Sequence, residues 1–166
     1  MLVTEINTYP FYYIDYIKLL PKDVPLNTLL ERRKEEAMSF YKAISEDKWN
    51  FKYANDKWTV KKILRHTLDA ELIFNYRALS IVRGEKNDLI GWSQDEYANE
   101  IDDKNLSSKS LLKSLKLQLD YTADMFGSFN ANDLSKIGNA SGFDTEVGAF
   151  GFAIVAHELH HRNIIN

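Results

Sequence analysis

Cysteine is absent from the 166 residues, which excludes a disulfide framework, a thiolate nucleophile and a cysteine-ligated zinc site. Any metal ion must therefore be held by His, Asp or Glu. Proline and glycine are scarce, at three and seven residues, too few for a turn-rich all-β chain. No apolar run approaches a membrane span, and the N-terminus lacks a signal peptide's basic start and apolar stretch. The expectation is a cytoplasmic protein with no membrane partner. A large excess of one charge is missing too. The 21 Lys and Arg nearly balance 24 Asp and Glu, leaving −3 at pH 7, and no basic stripe of a nucleic-acid binder is present. The clusters Glu31-Arg32-Arg33-Lys34-Glu35-Glu36 and Lys61-Lys62 read as solvated helix faces.

What remains is an ordinary globular balance, 45% hydrophobic and 13% aromatic, in a length that suits one domain over residues 1–166. Apolar residues recur with the helical period in four long stretches. Leu26 to Ile44 forms the first, with Leu26, Leu29, Leu30, Arg33, Ala37, Phe40 and Tyr41 on one side. Ser45 to Lys57 reads as irregular, with Trp49 and Phe51 tucked against the helices. Thr59 is the predicted N-cap of the second, Val60 to about Arg83, and Gly84 stands at its C-terminal cap. Ser93 with Glu96 makes a capping box for a short helix, Gln94 to Glu100. Ser107 or Ser108 caps the third long helix, which ends near Phe129. Asn130 to Asp144 reads as a loop, and Thr145 as the cap of a last helix from Glu146. The aromatic segment Tyr9 to Ile17 reads as an arm laid across the fold rather than a substrate cage. Four long helices with extended connections predict an all-α four-helix bundle.

Three of the four histidines fall in one pentapeptide, His157-Glu158-Leu159-His160-His161. On a helix His157 and His161 stack about 6 Å apart along the axis, a spacing that lets two imidazoles grip one ion. His160 points to another side, although an i, i+3 pair with His157 stays open. The preceding residues Phe150, Phe152, Ile154 and Val155 are strongly apolar, so the pair is buried, and buried imidazoles with no role are costly to satisfy. The same five residues spell H-E-x-x-H, the zinc-peptidase signature in which Glu158 would be the general base. A peptidase is the poorer reading. Zincin-like enzymes take their third ligand downstream, and Arg162 to Asn166 contain no His, Asp or Glu. The third ligand must come from upstream, where His66 is the one histidine left. Three protein ligands with an open position is the arrangement of a catalytic metal. Asp69, three residues on, is placed to orient an imidazole N–H, to act as a fourth ligand, or simply to make a surface ion pair.

At this point the sequence resembles the DinB/YfiT-like superfamily, in its DinB-like branch, over nearly its whole length. The resemblance rests on Tyr16-Ile17-Lys18-Leu19-Leu20-Pro21, Lys57-Trp58-Thr59-Val60-Lys61 and His66-Thr67-Leu68-Asp69-Ala70-Glu71. It continues through Tyr76-Arg77-Ala78-Leu79, Gly91-Trp92-Ser93-Gln94-Asp95, Ala140-Ser141-Gly142 and the terminal His157-Glu158-Leu159-His160-His161-Arg162. It implies an up-down-down-up bundle and a metal site of His66, His157 and His161, with zinc and nickel as the leading ions. It also implies a small-molecule substrate, since relatives include S-transferases and isomerases using low-molecular-weight thiols, and metal-dependent hydrolases. Relatives usually continue the last helix further, so the expectation is a reduced C-terminal wall, or one completed by a partner chain. A homodimer stays open by analogy with other bundles.

The expected activity is that of a metal-dependent thiol S-transferase or hydrolase. For hydrolysis, Glu158 and Asp69 are the candidate catalytic bases, Glu158 being the weaker because it points about 100° away from its ligand neighbour. Arg162 and Arg77 are candidate anion anchors, with surface ion pairs the expected role for both. The alternative is a non-catalytic metal-binding or stress-response module with a closed, four-coordinate site.

Overall fold

The computed structural model describes residues 1–52 and 54–166. Within them, four long helices carry the fold: α2 (Leu26–Ala43), α3 (Val60–Val82), α5 (Ser108–Gly127) and α7 (Val147–Ile165). Shorter helices are α1 (Ile14–Ile17), α4 (Gln94–Asn99) and α6 (Ala131–Leu134). A hairpin of β1 (Ile137–Ala140) and β2 (Phe143–Glu146) precedes α7. The local signals act as the sequence predicts at several ends. Thr59 Oγ1 accepts the amide of Lys62 at the start of α3, and Ser107 Oγ accepts that of Ser110 at the start of α5. Gly84, at φ +92°, closes α3 in a Schellman turn, with Gly84 N donating to the Ile81 carbonyl and Glu85 N to that of Ser80.

The loop expected over 130–144 is not one. Asn130 caps α6, and Ser141 and Gly142 take φ of +58° and +79°, the two positive angles of a tight two-residue hairpin turn. Antiparallel pairing runs from Ile137 with Glu146 to Ala140 with Phe143. Thr145 therefore lies in a strand, and Glu146 stands at the N-cap of α7. Its carboxylate instead accepts the amides of Asn7 and Thr8 at 3.0 and 3.1 Å, tying the N-terminal arm to the hairpin.

Helix directions follow from which residues meet. Lys34 approaches Asp120 while Glu46, just past α2, holds Ser108, so α2 and α5 are antiparallel. His66 faces His157 and Phe74 faces Phe150, so α3 and α7 are antiparallel too. Arg33 and Arg162 reach Glu158 and Glu36, which makes α2 and α7 parallel. Leu68 pairs with Gln118 and Glu71 with Thr122, so α3 and α5 are parallel. The result is an up-down-down-up bundle in which sequential α2 and α3 lie diagonally.

Each helix buries the predicted stripe. Leu64, Leu68 and Ala78 of α3, Leu111, Leu115 and Phe126 of α5, and Phe150 and Phe152 of α7 are almost wholly enclosed. Gly151 is the close approach between α7 and α2, since a Cβ there would lie 2.7 Å from Leu26 Cδ2. Trp49 is buried as expected, but Phe51 is 61% exposed. The solvated-face reading fails at Arg33 and Lys61, both buried. Among the described residues no helix is long and apolar enough to cross a membrane.

Candidate metal centre

His66 comes from the second turn of α3 and His157 and His161 from the last turns of α7, the two helices that pack together most extensively. Antiparallel packing turns a sequence separation of 91 residues into contact. His157 Nε2 lies 3.3 Å from His66 Nε2 and 3.0 Å from His161 Nε2. One potential ligand atom from each of the three lies within 4.8 Å of the others. The i, i+4 spacing on α7 does what helix geometry dictates, and the two rings stand edge to face with centroids 4.5 Å apart. His160 falls outside the cluster and packs edge-on against Tyr16.

Hydrogen bonding, through one hydrogen shared between two acceptors, accounts for this convergence only weakly. A neutral imidazole has one N–H and one acceptor nitrogen, yet His157 Nε2 has two ring nitrogens at hydrogen-bonding distance. One such atom cannot both donate and accept. A cation between them would use the nitrogen lone pairs at once. Two nitrogens each about 2.0–2.1 Å from an ion sit about 3.4 Å apart at a tetrahedral angle, close to the spacings found. The residues fit a divalent ion. Among the described residues His161 Nδ1 is buried without a hydrogen-bond partner, so this ligand lacks the outer acceptor that usually fixes a metal-bound imidazole.

Burial sets the protonation state. Desolvation pulls His66 down to about 4, against a smaller opposing pull from Asp69 and Asp95. It pulls His161 to about 3, helped by the neighbouring histidines, and holds His157 well below its ordinary value for the same reasons. All three are neutral at pH 7, as metal ligation requires. Between the folded values and the unfolded value near 6.5 the unfolded chain binds more protons, so stability must rise with pH. The metal-free protein is expected to be fully stable above pH 6.5 and to lose stability as pH falls toward 4 and 3. Between pH 7 and 5.5 the loss should be about 1 kcal/mol per histidine. Urea midpoints measured across that range check it, and a flat profile would contradict it.

Aromatic rings hold the cluster. Trp58 and Trp92 pack on His66 with centroids 5.0 and 6.0 Å away, and Tyr16 and Phe74 stand edge-on to His157. A cleft of about 460 Å³ reaches His157 between α3, the N-terminal arm and the hairpin, with Tyr16, Ala70, Phe74, Arg77 and Trp92 along it. A second, of about 330 Å³, reaches His161 beside Trp58 and Asp95.

The two carboxylates singled out beside the histidines are each paired with arginines. Glu158 turns into the bundle core, where Arg162 Nε donates to it at 3.1 Å and Arg33 Nε lies 3.8 Å away. Asp69 is partly buried on α3 and paired with Arg65. Arg162 is ion-paired as expected, although with the buried Glu158 as well as the exposed Glu36, whereas Arg77 is buried and makes no ion pair among the described residues. Arg33 was legible as a member of the α2 stripe. Its role was not, because its partner Glu71 lies 38 residues away.

A four-helix bundle with three inward histidines at one end forms a site that could hold a metal ion. Residues 29–165 match the model of the DinB superfamily, and the chain belongs to that superfamily. No curated protein matches it. Among solved structures it is similar to YfiT from Bacillus subtilis, at 13% identity over 88% of this chain and 89% of that one, with TM-score 0.74. That protein is described as a probable metal-dependent hydrolase with an unusual four-helix bundle topology. A DinB-like protein from the same species, YjoA, is 14% identical over 84% of this chain and 86% of that one, with TM-score 0.57. At these identities the likeness is one of fold.

Proposed function

We propose that the protein is a metal-dependent enzyme in which His66, His157 and His161 hold one zinc or nickel ion and a small molecule reacts in the adjoining cleft. The observation that carries this is the convergence of three buried, neutral imidazoles beside an open cleft. Imidazole donors suit zinc and nickel. A bound divalent ion supplies a lowered pKa for a water or thiol, and so a nucleophile at neutral pH. Three ligands from the chain leave a position for it. That favours an enzyme over a closed, purely structural site, in which four protein ligands are the rule.

The remaining steps belong to the chain's own residues. Trp58, Trp92, Tyr16 and Phe74 keep bulk water off the histidines and hold their rings in orientation. Asp69 is the candidate base for hydrolysis, close enough to His66 to act on it electrostatically. Glu158, engaged by Arg33 and Arg162, acts on the site by bracing α7 against α2. Thiol transfer would need no such base, since a thiol of lowered pKa gives its proton to solvent.

Zinc- and nickel-loaded protein assayed against a panel of thiols with electrophiles, and of esters and amides, tests the reading. Turnover that disappears on chelation is the expected result. Asp69→Asn should cut hydrolysis by about 10²–10⁴-fold and leave thiol transfer unchanged. A fully loaded protein inert across both panels contradicts the enzyme reading.

A further inference from the structure

The cleft beside His157 contains a cation that neither the metal site nor the bundle core uses. Arg77 is only 3% exposed, lines the cleft and has no carboxylate partner among the described residues. Its neighbours are neutral. Nη2 donates to the Ile90 carbonyl at 3.0 Å and to Ser141 Oγ at 2.7 Å, and the Tyr13 hydroxyl is a third partner. These contacts fix the guanidinium without neutralising it. The other buried arginine, Arg33, faces two carboxylates. A buried charge is costly unless it is paired, and among the described residues lining this cleft Arg77 is the one with a fixed charge.

Position adds the second half of the argument. Arg77 follows His66 by eleven residues on α3, which places it about 20° round the helix and about 16 Å along it. The two are therefore on one face, and the cleft is lined by Arg77 and by His157, the ring that meets His66. Between them come Ala70, whose small side chain leaves room, and Phe74, whose ring forms an apolar floor. The cleft's 460 Å³ suits a small ligand.

We infer that Arg77 anchors a carboxylate of the substrate, so that the enzyme takes elongated, monoanionic small molecules with the anion at one end and the reacting group at the histidines. This rests on the metal-dependent reading for the reacting end alone. A guanidinium N–H outside those two Nη2 bonds gives a carboxylate a charge-assisted hydrogen bond, and one fixed charge balances one carboxylate, where a dianionic phosphate calls for further cations. The apolar floor takes the chain between the two ends.

The test uses zinc-loaded protein and two probes that differ at one end, 6-mercaptohexanoate and 6-mercaptohexanol, with binding followed by calorimetry. Wild type should bind the acid at least tenfold more tightly. Mercaptoacetate is too short to span the cleft, so its affinity relative to mercaptoethanol should not change on Arg77→Met. Arg77→Met should bring the hexanoate and hexanol probes within about twofold, and Arg77→Lys should restore part of the difference. Equal affinity for acid and alcohol in wild type, or a preference that survives Arg77→Met, overturns the inference. Hexanoate against hexanol on metal-free protein, with zinc content measured on the same samples, separates the two claims. Carboxylate preference without zinc binding removes the metal reading and keeps the anchor, whereas zinc binding without carboxylate preference removes the anchor alone.

Discussion

Arg33→Ala is expected to destabilise the bundle by about 3–5 kcal/mol, the cost of stripping buried carboxylates of their cation. Arg33 is 2% exposed, as is Glu71, and Glu158 is fully enclosed. Arg33 Nη1 donates to Glu71 Oε1 at 3.1 Å, while Thr122 Oγ1 donates to the same oxygen at 2.6 Å. Asn75 Nδ2 in turn donates to Thr122 Oγ1 at 2.7 Å. One connected network thus joins α2, α3, α5 and α7 across the core. Burial already pushes the Glu158 carboxyl up, with Arg33 and Arg162 pulling it back down. Removing Arg33 takes away the strongest single charge holding that carboxyl down and the only cation paired with Glu71 among the described residues. Urea unfolding of metal-free protein reads the loss. A destabilisation below 1 kcal/mol would show that the network does not hold the four helices together. Arg33→Met with Glu71→Leu, which removes charge of both signs, should lose less than Arg33→Ala alone.

The second large effect is at His157, the histidine whose Nε2 meets both others. His157→Ala should abolish stabilisation by zinc while leaving the metal-free protein close to wild type. A ligand that binds only the folded state stabilises it by about 4 kcal/mol at a thousandfold excess over Kd. Wild type should show a rise of that order with zinc, and His157→Ala none. The metal-free variant escapes a large penalty because the lost ring borders an open cleft. Thermal melts with and without zinc report both quantities. Equal zinc stabilisation in the two proteins would exclude His157 as a ligand.

Legibility in the sequence followed the range of each interaction. Helix ends were readable at Thr59, Gly84 and Ser107 because caps act over three or four residues. The His157 and His161 pair was readable for the same reason, helical spacing being local. His66 could be reached only by elimination and resemblance, since its approach to His157 depends on α3 and α7 packing antiparallel. The hairpin was missed although Ser141-Gly142 is a turn signal, because the short strands beside it, Ile137–Ala140 and Phe143–Glu146, carry little apolar alternation. The two arginines mark the limit. Charge along a helix gives no sign of its partner, so Arg33, although on the α2 stripe, could not be matched with Glu71, and Arg77 passed for a surface residue. Glu158 shows the opposite hazard, for a familiar motif gave it a catalytic role while the fold turns it into the core.

Metal content tests the central claim most directly. Wild type and the His66→Ala, His157→Ala and His161→Ala variants would be loaded with zinc or nickel, desalted and analysed for metal per chain. One equivalent in wild type and a large loss in every variant is the predicted result. No retained metal in wild type, or equal metal in all four proteins, would contradict the three-histidine centre.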